Sequence, residues 1–137
     1  MAISIDSVLT HQELADEVGG TQVLEPLLSK QLEETVTVGD RTKAIREAAL
    51  SEVLDALRVR VPPINEGDLS DVTQLRRSVL FNALARIYRM SMSIEGDAFY
   101  LLWSDYSKRY RAEITALKPL LRGNPIGSVF SIALNRR

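Results

Sequence analysis

DRTKAIREAALSEVLDAL, residues 40–57, places Ala44, Ile45, Ala48, Ala49, Val53, Ala56 and Leu57 three and four residues apart. That is the period of one helical face, and a strand would alternate instead. After the run Thr35-Val36-Thr37-Val38 and Gly39, Asp40 is expected to open this long helix, and Pro62-Pro63 stops it. Working toward the C-terminus, PPINEGDLS (62–70) is turn chemistry. Asp71 is expected to cap another long helix, with Val72, Leu75, Val79, Ala83, Leu84, Ile87 and Met90 inward, running to about Ile94-Glu95-Gly96. Asp97 is read as the next cap. The helix after it sets Phe99, Leu102, Trp103, Tyr106, Tyr110, Ile114 and Leu117 on one stripe, closed by Pro119 and Gly123-Asn124-Pro125, and such a stripe reads as core packing.

Toward the N-terminus, Thr10 and Glu13 spell a T-x-x-E capping box, with Leu9 and Leu14 placed as its hydrophobic staple. That helix is short and ends at Gly19-Gly20. Thr21 opens a second short segment with Val23, Leu24, Leu27, Leu28 and Leu32, which Pro26 is expected to kink or break. The fold class predicted is all-α: a small bundle of three to four main helices.

Composition narrows the chemistry. The chain has 137 residues, 45% hydrophobic and 26% charged, which is one domain with enough apolar material for a core. No cysteine is present, which excludes a disulfide scaffold, a Cys-ligated zinc and a thiol nucleophile. His11 is the single histidine, expected to face water, and one histidine cannot form a two-histidine metal site. The neighbouring acids Glu33-Glu34 and Asp16-Glu17 point about 100° apart on a helix and do not face each other across a cleft. Gly-rich phosphate loops and the G-x-S-x-G elbow are missing. No catalytic residue, metal or cofactor is therefore assigned, and the chain is read as not an enzyme. No window reaches the roughly 18 apolar residues of a membrane span, and a cytoplasmic, membrane-free product is expected.

A net charge of −1 conceals a polarity along the chain. Residues 1–69 carry 13 Asp and Glu against six Lys and Arg, while residues 70–137 carry five against eleven. Opposite charges on one small domain suit head-to-tail association of copies, or an internal pairing of the two halves. The candidate inter-subunit residues are Glu13, Glu17, Glu33 and Glu34 on the acidic side, and Arg76, Arg77, Arg86, Arg89, Arg109 and Arg111 on the basic side.

Residues 126–137 change period. Phe130, Ile132 and Leu134 alternate with Val129, Ser131 and Ala133, the pattern of an extended strand. A strand ending a helical domain needs backbone partners, which another molecule supplies by strand addition, or which the chain's own helices or Ile3 to Ile5 supply. The chain is accordingly divided into a helical domain, 1–125, and an extended C-terminal tail, 126–137.

LTHQELADEVGGTQ, with Ala15 and Gly19 four apart, resembles the first helix and turn of the helix-turn-helix in cyclic-AMP-receptor-type transcription regulators. The likeness covers Leu9 to Thr21 and fails in the helix that would read bases, Gln22-Val23-Leu24-Glu25-Pro26-Leu27-Leu28, which offers an acid and a proline in place of cations. DNA phosphates would repel this acidic end.

Taken whole, residues 8–135 resemble the head-tail connector or adaptor proteins of tailed bacteriophages, the head-completion proteins under the portal. The likeness lies in the order of T-x-x-E-L (Thr10 to Leu14), D-R-x-x-A-I-x-x-A (Asp40 to Ala48), R-V-R-V-P-P (Arg58 to Pro63), L-R-x-x-V (Leu75 to Val79), A-R-I-Y (Ala85 to Tyr88) and G-D-x-F-Y (Gly96 to Tyr100), followed by Tyr106, Tyr110 and an extended tail. The resemblance implies a helical bundle assembling as a ring of typically about twelve copies, docked on the portal protein and lengthening the DNA channel toward a tail-side stopper or tail-completion protein. DNA would pass without sequence-specific binding. It also implies a neck location in the virion, reached from the host cytoplasm. The tail would dock on the portal through Ile126, Val129, Phe130, Ile132 and Leu134, with Arg136 and Arg137 pairing acidic groups.

Overall fold

The Thr10 hydroxyl accepts the Glu13 N–H at 3.1 Å while the Glu13 carboxylate accepts the Thr10 N–H at 2.9 Å, so the sequence's capping box closes as spelled. It starts α1 (His11–Val18) in a computed structural model that describes residues 3–29, 37–91 and 98–122. Gly19 and Gly20 both take positive φ, 110° and 114°, and the Gly20 N–H returns to the Ala15 carbonyl at 2.8 Å. A residue with a Cβ would be strained at either position. The chain therefore reverses at once into α2 (Thr21–Ser29). Pro26 lies inside α2 on its exposed side, and of the expected kink or break the break does not occur, the segment remaining one helix.

The long helix α3 (Val38–Arg58) begins earlier than Asp40. Thr37 is its cap, its hydroxyl accepting the Asp40 N–H at 3.1 Å, so Asp40 sits three residues inside, where its charge favours the positive helix end. Asp71 likewise caps a 3-10 turn, Val72–Leu75, and the α-helix proper, α4, runs Arg76–Ser91. Its last predicted residues, and the expected Asp97 cap, lie outside the described residues. The return helix α5 spans Ala98–Ala116. The fold is all-α, five helices with no strand among the described residues.

α4 is the centre. Nine of its 16 residues are buried, among them Val79, Leu84 and Ile87 at 0% exposure. α3 packs on it antiparallel with Ala49, Val53 and Leu57. Below lie Leu14 and Ala15 of α1, Leu24 and Leu28 of α2, and Ile5, Val8 and Leu9 of an N-terminal 3-10 turn. Along the other side, rings alternate between α4 and α5: Phe81, Tyr106, Tyr88 and Phe99, with successive centroids 6.0, 5.8 and 6.3 Å apart. Phe99, Trp103, Tyr106, Tyr110, Ile114 and Leu117 of the predicted stripe pack on the core, whereas Leu102, predicted with them, is exposed because α2 does not close over it, and no residue of α5 is fully buried.

Two arginines fasten these layers. Arg46 of α3, 3% exposed, donates to the Asp6 carboxylate at 2.8 Å and the Leu9 carbonyl at 3.0 Å, pinning the N-terminal turn to the core. Arg60, just past α3, donates to the carbonyls of Leu117 at 2.6 Å and Ile114 at 2.5 Å, capping the end of α5. Beyond it the chain is strapped back. Leu121 bridges Leu69 antiparallel, the Gln74 side chain clamps both backbone groups of Leu120, and the Arg122 N–H reaches the Asp68 carbonyl at 2.7 Å. The predicted tail, 126–137, lies outside the described residues.

Arg46→Ala leaves the Leu9 carbonyl buried without its donor and is expected to cost about 2–3 kcal/mol. Asp6→Asn, at an exposed carboxylate, should cost less than about 1 kcal/mol. Urea unfolding midpoints of the two variants measure the difference.

Candidate interaction surface

α5 stands on α4 between two clefts, because α3 covers one side of α4 and α2 the other, and neither closes against α5 along its length. The larger cleft, about 700 Å³, separates α3 from α5. Arg60 holds the two helices together near their C-terminal ends, and toward the other end they leave α4 uncovered between them. Small side chains make this space: Ala44 and Ala48 of α3 and Ala85 of α4 line it where larger residues would fill it. Trp103, Ser107 and Tyr110 form the α5 wall.

Four guanidiniums meet in this cleft against a single carboxylate. Arg86 donates to Asn82 and to Glu52, each at 2.6 Å. The Tyr110 hydroxyl is held by the same Glu52 and Asn82. Burial pushes its pKa above the ordinary 10.0, and the nearby Glu52 charge adds to the rise. Arg89 lies flat on Trp103, 5.0 Å from the ring centroid. Arg41 touches the Met90 sulfur at 3.7 Å, and its shielded Nε has no hydrogen-bond partner among the described residues. Arg111 is exposed at the rim.

The second cleft, about 500 Å³, lies on the opposite flank of α5, toward α2. It is apolar, lined by Val23, Leu27, Tyr88, Phe99 and Leu102. Glu17 of α1 is close enough for its charge to act on Tyr88, Glu25 is exposed on another side of α2 from the lining residues Val23 and Leu27, and Val23 is 41% exposed. The Tyr88 hydroxyl is also driven above 10.0, first by burial, then by Tyr106 and Glu17.

The predicted inter-subunit residues divide. Glu13 is used inside the chain, in the cap and in an ion pair with Arg76 at 3.3 Å. Arg77 pairs with Glu113 at 3.2 Å, Arg109 with Asp105 at 3.0 Å, and Arg86 with Glu52. Glu17, Arg89 and Arg111 make no ion pair among the described residues and remain on open surface. Glu33 and Glu34 lie outside the described residues, as do Ile126, Val129, Phe130, Ile132, Leu134, Arg136 and Arg137. His11, expected to face water, is half-buried instead: its Nδ1 meets the buried Thr42 hydroxyl at 2.7 Å, tying α1 to α3, while Thr42 donates its own O–H to the Gly39 carbonyl at 3.0 Å. The cleft itself was missed. The one available signal was the alanine spacing of α3, which reads as core although Ala44 is exposed. Among the described residues no group of three His, Cys, Asp or Glu could hold a metal ion.

No protein-family model, no curated protein and no solved structure matches this chain.

Tyr88 and Tyr110 both hold their protons more tightly folded than unfolded. The stability they contribute is therefore complete below pH 10 and declines as pH rises through their raised folded values. The urea midpoint should fall above pH 10, and the fall should shrink in the Tyr88→Phe, Tyr110→Phe double variant. A midpoint equally pH-dependent in both proteins contradicts this.

Proposed function

We propose that the chain is a structural virion protein, a head-tail adaptor of tailed bacteriophages whose copies form a ring beneath the portal and extend the DNA channel toward the tail. One observation carries the reading: surfaces of different character lie on opposite flanks of α5, a cationic cleft toward α3 and an apolar cleft toward α2 whose Tyr88 feels the charge of Glu17. Unlike surfaces on one protomer make a heterologous contact, which either closes into a ring or polymerises. The sequence supports it independently through the ordered motifs shared with adaptor proteins. In this reading no residue is catalytic and no cofactor is required.

The strap supports the tail's assignment. Leu120 to Arg122 are fixed against Asp68, Leu69 and Gln74, so whatever follows starts from a rigid base. The alternating Phe130, Ile132 and Leu134 would then add backbone bonds and side chains to the portal, with Arg136 and Arg137 on its acidic groups. No helix among the described residues is long and apolar enough to cross a membrane, which fits a role in the particle neck.

A second reading, a helix-turn-helix regulator, is favoured by α1, the Gly19-Gly20 turn and α2, which do form a helical hairpin. Against it, α2 contains no Lys or Arg, and its exposed residues include Val23, Glu25 and Pro26.

Native mass measurement with purified portal should find the chain bound in multiple copies, and a monomer in its presence rejects the adaptor reading. Removal of residues 126–137 should abolish portal docking and leave the helical circular dichroism unchanged. Salt-sensitive binding to duplex DNA would favour the regulator.

A further inference from the structure

We propose that the cleft between α3 and α5 is the seat for the acidic α1–α2 flank of a second copy, with Glu17 and Glu25 of one protomer facing Arg41, Arg89 and Arg111 of the next. This rests on the ring reading and names the contact that would build it.

The choice of occupant follows from what lines the cleft. Arg86 already pairs with Glu52, the cleft's one carboxylate, which leaves Arg41, Arg89 and Arg111 without a carboxylate among the described residues. An incoming surface must therefore bring acids. It must also bring apolar surface to lie on Ala44 and Ala48. The α1–α2 flank has both. Glu17 and Glu25 are exposed and unpaired among the described residues, and Val23 is exposed on another side of α2 from Glu25. Arginine suits the other half of such a contact, because its guanidinium gives up hydration more readily than an ammonium and pairs carboxylates through two parallel bonds.

A nucleic acid fits less well. Base stacking needs a free ring face, and Trp103 already carries Arg89 on one of its faces. The Glu52 carboxylate inside the cleft would oppose phosphates. The geometry of the two flanks points the same way. Donor and acceptor lie on either side of one helix about 10 Å across, so neither can satisfy the other within a protomer, and each is presented to a neighbour.

Trp103 is the only tryptophan of the chain and lines the cleft, so its emission reports occupancy directly. At low salt, on the full chain alone and with portal, association measured by sedimentation should be accompanied by a shift of Trp103 emission. Arg111→Glu should weaken association by about tenfold or more, as should Glu17→Lys with Glu25→Lys. Mixing these two variants, whose unlike charges again face each other, should restore association to within about threefold of the unaltered chain. All three positions are exposed and outside the internal ion pairs, so circular dichroism should not change. Copies that assemble with unchanged Trp103 emission, or an Arg111→Glu chain that assembles normally, overturn this contact while leaving the ring standing. A chain that stays monomeric with portal removes the ring itself, and the contact with it. Salt-sensitive quenching of Trp103 by an oligonucleotide, lost in Arg111→Glu, would make the cleft a nucleic-acid site and overturn the proposal.

Discussion

A helix with nine of its 16 residues buried cannot stand against water, and the arrangement of every other element follows from covering α4. Its apolar residues run around most of its circumference: Val79, Ala83, Leu84 and Ile87 are fully buried, and Phe81, Ala85 and Tyr88 nearly so. One neighbour shields only part of such a cylinder. α3 takes one side, the short α1–α2 hairpin with the N-terminal turn takes a second, and α5 takes a third. Three covers around one axis leave seams, and the two clefts beside α5 are those seams. They exist because α3 presents alanine toward α5 and because α2 is only nine residues long.

The same constraint explains why α5 is well placed yet has no fully buried residue. Its contact with α4 is a ladder of four rings, each pair worth about 0.5–1.5 kcal/mol beyond area burial. Arg109 over Tyr106 and Arg77 over Phe81 cover ring faces that no helix covers. Arginine here substitutes for a missing layer. Its stem lies on apolar surface and its head stays in water, which lets a three-sided bundle remain folded with one face incomplete.

How much of this was legible depends on the range of the interaction concerned. The Thr10 capping box and the Gly19-Gly20 reversal involve residues at most a few positions apart, and the sequence specifies them completely. The inward stripes of α3 and α4 follow from period alone. Where two capping residues competed, local reading chose wrongly: Asp40 is a fair cap, but Thr37 lies three residues earlier and takes the role. Periodicity also says which face turns inward without saying how thoroughly it is covered, so Ala44 was placed in the core and is exposed. Contacts between distant segments left no trace in the pattern. Arg46 reads as a solvent residue of an amphipathic helix, yet it is buried because Asp6 and Leu9 come to it from 40 and 37 residues away.

Charge shows the same division and bears most on function. The acidic first half and basic second half meet inside the molecule at Glu13–Arg76 and Glu52–Arg86. Other basic residues find partners in their own half, Arg77 with Glu113 and Arg109 with Asp105. If folding had consumed the whole polarity, the surface would be evenly mixed and association would have no direction. It does not consume it. Arg41, Arg89 and Arg111 remain gathered on one flank of α5 while Glu17 of α1 and Glu25 of α2 remain exposed and unpaired among the described residues, and exposed pairs left inside a monomer would each add little to stability. Between copies, as proposed above, the same charges would act differently, because they would set orientation and register and penalise the reversed pairing. A directional contact between unlike flanks is what the proposed ring would require, whereas a two-fold dimer would have to bring both flanks of each copy into one self-complementary interface.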